Sequence, residues 1–159
     1  FSMGDWYWNS SKTIVIPQYD SLEYTFDAQG VHVGDAAQTA LSATLRYEPI
    51  KNLYFKGQIQ YFDRYYSDFN PFSLQGANGG RESWMMPSYT LVNLYAGYRF
   101  KLKEDALVLS GNVINLLNKA FISDASNNMN GSNQSFDATS SAVMFGQGLR
   151  FNVSLSYQF

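Results

Sequence analysis

The last eleven residues constrain the fold more tightly than any other part of the chain. Leu149, Phe151, Val153, Leu155, Tyr157 and Phe159 alternate there with Arg150, Asn152, Ser154, Ser156 and Gln158. Successive side chains of a β-strand point to opposite faces, so this segment predicts a strand with one apolar and one polar face. The pattern extends back towards Val143 and recurs upstream. Over 89–102, Val92, Leu94, Ala96, Tyr98, Phe100 and Leu102 oppose Asn93, Tyr95, Gly97, Arg99 and Lys101. Over 39–48, Leu41, Ala43, Leu45 and Tyr47 oppose Ala40, Ser42, Thr44, Arg46 and Glu48. Over 53–66, Leu53, Phe55, Ile59 and Tyr61 oppose Lys56, Gln58, Gln60 and Arg64. A strand over 106–117 carries Leu107, Leu109 and Val113 on its apolar side, and an aromatic opening strand over 1–9 brings the expected number to about six.

The connections alternate in length. Residues 48–52 and 101–105 form tight turns, whereas 10–36, 67–87 and 118–142 are long and rich in Ser, Asn and Gly. Short turns at one end and long loops at the other match an outer-membrane barrel, whose strands need roughly 9 to 11 tilted residues to cross the bilayer. Aromatic residues gather near strand ends, as Trp6-Tyr7-Trp8, Tyr61-Phe62 with Tyr65-Tyr66, and Trp84 with Tyr89, where a barrel carries its interfacial girdles. Composition agrees with this. Charged residues make up 15% of the chain, below the roughly 25% of a soluble domain, while 45% is hydrophobic and 17% aromatic. No run approaches the roughly 18 apolar residues of a membrane helix, so any crossing uses strands.

Other classes fall away on composition. The 11 basic residues against 13 acidic ones leave a net charge of -2, which gives nucleic acid no electrostatic footprint. With no cysteine, disulfide frameworks, thiolate metal sites and cysteine nucleophiles are excluded. The expected fold is therefore all-β, a transmembrane antiparallel β-barrel. About six strands cannot close around anything, since common membrane barrels start at about 8 strands, and open edges in lipid leave backbone groups unsatisfied. The chain begins at Phe1 without initiator methionine or leader. Residues 1–159 are thus expected to form the carboxyl-terminal part of one barrel domain, with the remaining strands supplied upstream in the same protein.

One run of residues resembles a known family. Gly111-Asn112-Val113-Ile114-Asn115-Leu116-Leu117-Asn118-Lys119-Ala120-Phe121-Ile122-Ser123 is similar to the penultimate-strand signature of TonB-dependent outer-membrane receptors, which ends in Asn-Leu-Phe-Asn-Lys and an aromatic. The terminal Tyr157-Gln158-Phe159 resembles the same family's carboxyl end, and Gly4-Asp5-Trp6, 33–38 and 45–49 resemble a branch with long surface loops. The resemblance implies a 22-stranded barrel of which this chain holds the last six strands. It implies active uptake of a glycan, peptide, iron chelate or corrinoid, powered by the TonB complex through a plug that this chain lacks. It places the loops outside a Gram-negative cell, and both Phe1 and Phe159 on the periplasmic side. Tyr157 and Phe159 would then be the signal read by the barrel assembly machinery. The implied partners are the upstream strands and plug, TonB, outer-membrane lipid and a surface lipoprotein lid.

No covalent chemistry, metal or cofactor is expected. His32 is the only histidine, which rules out a multi-histidine metal site, and as a lone loop residue it reads as solvent-facing. Residues 126–137 place Asn128, Asn130, Gly131 and Asp137 at the offsets of a calcium loop, but begin with Ser126, end without a bidentate Glu and lack flanking helices. Gly146-Gln147-Gly148 precedes a strand and reads as relief of crowding in a bent strand. Arg81 and Trp84 form a candidate substrate-facing pair in the second long loop. The competing readings are a passive porin or other outer-membrane barrel, and a soluble β-sandwich binding module.

Overall fold

The computed structural model describes residues 1–16, 22–127 and 136–159. It is all-β and antiparallel. In chain order its strands are β1 (Ser2–Met3), β2 (Ser11–Ile16), β3 (Leu22–Asp27), β4 (Ala37–Ile50), β5 (Leu53–Tyr66), β6 (Met85–Met86), β7 (Tyr89–Leu102), β8 (Asp105–Ile114), β9 (Ile122–Asn127), β10 (Ser141–Phe145) and β11 (Arg150–Gln158). The main sheet runs β1-β4-β5-β7-β8-β11, with β6 added on β5. The long strands form a simple meander. Two-residue turns at Lys51-Asn52 and Lys103-Glu104 join them at one end, with Asn52 and Lys103 in left-handed backbone (φ 72° and 54°).

Register fixes which residues share a face. Tyr47, Phe55, Ala96, Gly111 and Val153 form one transverse row, and Leu45, Gly57, Leu94, Val113 and Phe151 form the next. A register slip of one residue would turn a strand's apolar set to the other face, so the alternation of all five long strands agrees on a single pairing. On the resulting apolar face no charged side chain occurs between Asp63 at the loop end and Asp105 at the turn end. Nothing covers it. Leu45, Phe151 and Val153 are 75%, 73% and 73% exposed.

The hydrophobic cluster lies elsewhere. Ala28, Val31, Phe69 and Leu74 are buried together in the long connections, with Phe26 and Phe136 against them. Those connections, expected as loops, fold into a cap beyond the sheet that contains the hairpins β2-β3 and β9-β10. Main-chain bonds lock the cap: Asp68 N–H to Ala125 O (2.8 Å), Ser67 N–H to Trp84 O (2.9 Å) and Asp27 N–H to Leu74 O (2.9 Å) tie its three segments together.

Three boundaries differ from expectation. The opening strand is confined to β1, which pairs Ser2 with Ala40 and Met3 with Thr39. This places Phe1 near the loop end of β4, where the sequence expectation had it at the turn end. Residues 4–8 continue upward into the cap, where Trp8 N–H bonds Val31 O and Val33 N–H bonds Trp6 O (2.8 and 2.9 Å), so Trp6-Tyr7-Trp8 lies beyond the sheet. The strand expected over 106–117 stops at Ile114, because Asn115 takes a left-handed φ of 52°. The last strand starts at Arg150; Val143 lies in β10, separated from it by the Gly146-Gln147-Gly148 bend. Of the calcium-like stretch, Asn128, Asn130 and Gly131 lie outside the described residues.

Candidate functional site

The polar face of the sheet is organised by side-chain bonds between strands. Asn152 donates to Asn112 Oδ1 (3.0 Å), and Asn93, which is buried, donates to Gln58 and Gln60 (3.3 and 3.1 Å). Lower on the same face Arg46 lies over the Tyr54 ring (4.1 Å to its centre) and Lys56 Nζ over that of Tyr95 (3.8 Å). Tyr54 in turn lies across Gly97, where a Cβ would approach within 2.5 Å of the ring, so a glycine is what lets this tyrosine lie close against the sheet. At the rim, Phe62, Tyr89 and Phe121 form a continuous aromatic stack with ring centres 5.0 and 4.4 Å apart.

The run Asn115–Lys119 is a clasp. Asn115 is 1% exposed; its Oδ1 accepts from Lys119 N–H (2.9 Å) and its Nδ2 donates to the carbonyls of Lys119 and Gln147 (2.9 and 3.1 Å). Its own N–H reaches Asn93 Oδ1 at 2.9 Å. Asn118, with a φ of 47°, accepts from Leu149 N–H at 3.0 Å. Both asparagines occupy left-handed positions, which Asn tolerates better than most residues because its side chain bonds locally. Together they fasten the end of β8 to the bend that starts β11. Gly146 sits directly under the Phe121 ring, so any side chain there would collide with the aromatic stack.

In the cap the structure reveals a cluster that the sequence reading missed. His32, expected to face solvent, lies in a connection and is 24% exposed, held by three neighbours. Its ring stacks on Tyr66 (4.2 Å, 1° between planes), Nδ1 lies 2.5 Å from Glu82 Oε2, and Nε2 lies 3.4 Å from Asp5 Oδ1. Arg64 donates to Gly4 O and Thr39 Oγ1 (2.8 and 3.0 Å) and lies 3.6 Å from Asp5. Buried Gln38 exchanges bonds with the main chain of Trp6 (2.9 and 2.8 Å), standing in for a strand partner. With both ring nitrogens facing carboxylates and the ring stacked on Tyr66, His32 ties separate segments of the cap together. A second acidic group gathers at Asp35, whose carboxyl is raised above its ordinary value by partial desolvation first and then by Asp68 and Asp124.

The sequence-derived candidates sit apart. Arg81 lies over the Phe136 ring (4.7 Å) and reaches Asn78 Oδ1 (3.4 Å), and the partly buried Trp84 accepts from Ser67 through its carbonyl; both belong to the cap. Tyr157 and Phe159 lie at the opposite end. The Tyr157 hydroxyl bonds the Asp105 carboxylate and its ring lies 6.3 Å from that of Phe159. The signal for the Asn115 clasp was present as Asn-x-x-Asn at the end of a strand, a turn composition. His32, Asp5, Arg64 and Glu82 are too distant in sequence for spacing to unite them. Compared with known proteins, the chain matches no family model and has no significant match among curated proteins or solved structures.

Proposed function

We propose that this chain forms part of the wall and outer surface of a transmembrane β-barrel in the outer membrane of a Gram-negative cell, with the two-residue turns and Phe159 periplasmic and the cap outside. The uncovered apolar face carries the reading. From Val92 to Leu102 it extends about 34 Å along β7 at about 3.4 Å per residue, which at a tilt of about 40° is a band about 26 Å high, against the roughly 25 Å apolar belt of such barrels. Monomers in water rarely expose contiguous apolar patches above a few hundred Å².

The edges support the same reading. Among the described residues β8 is the only neighbour of β11, and β4 is bonded on its outer side only from Gln38 to Ala40. In hydrocarbon each unpaired backbone group costs several kcal/mol, so the reading requires upstream strands of the same protein to complete the wall. Among barrels, a TonB-dependent transporter for active nutrient uptake is supported by the resemblance of residues 111–123 and of Tyr157-Gln158-Phe159. The clasp gives the asparagines of that run a physical task. In this reading the plug, the TonB complex, the barrel assembly machinery acting on Tyr157 and Phe159, and a lipoprotein lid over the cap are the partners, and the segment performs no covalent chemistry.

The test is topology in intact cells producing the complete protein. A protease site inserted at Ala77 in the cap should be cut from outside, and one between Lys103 and Glu104 only after the outer membrane is opened. Cleavage at the turn in sealed cells contradicts the reading. Cross-linking to TonB then separates an energised transporter from a passive porin, which would show none.

A further inference from the structure

Resting on the reading of the polar face as the barrel lumen, we infer that this wall is built to pass an anionic solute, one bearing carboxylate, phosphate or sulfate groups. Below the cap, the polar face carries Arg46, Lys56, Arg99, Lys101 and Arg150, but only one carboxylate, Glu48, which is already bound by Arg46 Nε at 2.7 Å. Among the described residues Lys56, Arg99, Lys101 and Arg150 form no ion pair. Register sets the cations at descending levels. Arg150 lies opposite Ile114 near the rim, and Arg46 opposite Lys56, which faces Tyr95 on its other side. Arg99 lies opposite Val108, four residues beyond Tyr95, and Lys101 opposite Ala106, two further on. At about 3.4 Å per residue these steps are about 7 to 14 Å, against the roughly 8 Å range of a charge in physiological salt, so the fields of the nearer cations overlap along this face.

Two features keep that charge available. Arg46 and Lys56 are positioned by the Tyr54 and Tyr95 rings, and a ring face holds a cation without cancelling its charge as a carboxylate would. The neighbouring wall positions Gln58, Asn112 and Asn152 are neutral amides, and the NH2 groups of Gln58 and Asn112, whose oxygens already accept from Asn93 and Asn152, are able to donate. Five acidic residues are instead engaged at the loop end, and of the two at the turn end, Glu104 and Asp105, the second accepts from the Tyr157 hydroxyl. Asp5 faces Arg64, Glu82 holds His32, and Asp63, Asp68 and Asp124 each accept the N–H of the following residue. Rings of Arg and Lys are how pores select anions.

These 159 residues contain no cysteine, so a single cysteine introduced here reports on one position once any cysteine elsewhere in the complete protein has been replaced. Asn152→Cys lies on the row of Lys56; Val153→Cys lies one residue along, on the apolar face. Each is labelled with an anionic sulfonatoethyl and a cationic trimethylammonioethyl methanethiosulfonate, the rates normalised to those of free 2-mercaptoethanol. At Asn152→Cys the anionic reagent should be favoured about tenfold, a preference that Lys56→Gln reduces, and citrate should slow labelling more than sodium chloride of equal ionic strength or maltohexaose does. Labelling without charge preference, or no labelling at Asn152→Cys, would overturn the inference while leaving the barrel in place. Slowing by maltohexaose and not by citrate would replace it with a neutral glycan. Labelling of Val153→Cys as fast as Asn152→Cys would refute the barrel reading itself.

Discussion

Asn115→Ala should destabilise the protein by about 2 to 5 kcal/mol. The side chain is 1% exposed and makes three hydrogen bonds, one from Lys119 N–H and two to the carbonyls of Lys119 and Gln147. At about 0.5 to 1.5 kcal/mol net for each, these contribute about 1.5 to 4.5 kcal/mol. The φ of 52° adds about 1 kcal/mol when Ala replaces Asn. Lys119 is exposed and its main chain can turn to water, which draws the total below the upper sum. Asn115→Gly loses the same bonds but accepts the backbone angle, so it should cost about 1 kcal/mol less than Ala. Asn115→Asp keeps the acceptor for Lys119 N–H yet sets an acceptor against two carbonyls, and should be at least as damaging as Ala. Urea unfolding of the complete protein in lipid vesicles, followed by tryptophan fluorescence, measures all three. An Ala variant within about 0.5 kcal/mol of the parent, or a Gly variant worse than Ala, would refute the clasp.

Further expectations concern other parts of the molecule. Val153→Arg should destabilise by about 2 to 4 kcal/mol in vesicles, a fall of about 30- to 900-fold in the folded-to-unfolded ratio, whereas Ser154→Arg one residue away should cost far less. In water both would be near-neutral surface changes, so equal small effects would count against a lipid-facing Val153. Gly146→Ala should cost about 1 to 3 kcal/mol through collision with the Phe121 ring, and Phe121→Ala in the same chain should recover most of that cost in a double-mutant cycle. For Asp35, the folded carboxyl holds its proton more tightly than the unfolded one, whose ordinary value is 3.8. Below that value both states are protonated and the group contributes nothing; as pH rises through the folded value the cap loses stability. Asp35→Asn should therefore slow amide exchange at Asp68 at about pH 7 and leave it unchanged at about pH 3, and equal effects at both would refute the coupling.

Much of the sheet was legible because a period of two survives in a single sequence. Each long strand carries an apolar set that lands on one face, and the paired register agrees across β4, β5, β7, β8 and β11. The cap was not legible. Its core of Ala28, Val31, Phe69 and Leu74 draws on two distant connections, and isolated apolar residues among Ser, Asn and Gly carry no period. The strand ends failed at Asn115, where a tertiary network and a left-handed backbone override the apolar Leu116-Leu117 that follows. Phe1 was displaced for a related reason, since residues 4–8 pair with 31–38 in the cap instead of continuing down β4. The His32 tie joins residues 5, 32, 64 and 82, and only the folded chain brings them within reach.

The central claim is that one face of the sheet lies in hydrocarbon and the other in water. Spin labels placed singly at each position from Arg150 to Gln158 in the complete, membrane-inserted protein test it directly, by comparing collision with oxygen, which concentrates in lipid, against a water-soluble nickel chelate. Oxygen accessibility should peak at Phe151, Val153 and Leu155 and nickel accessibility at Asn152, Ser154 and Ser156, in strict alternation. Nickel access to both sets, with no alternation, would show an aqueous sheet and contradict the account.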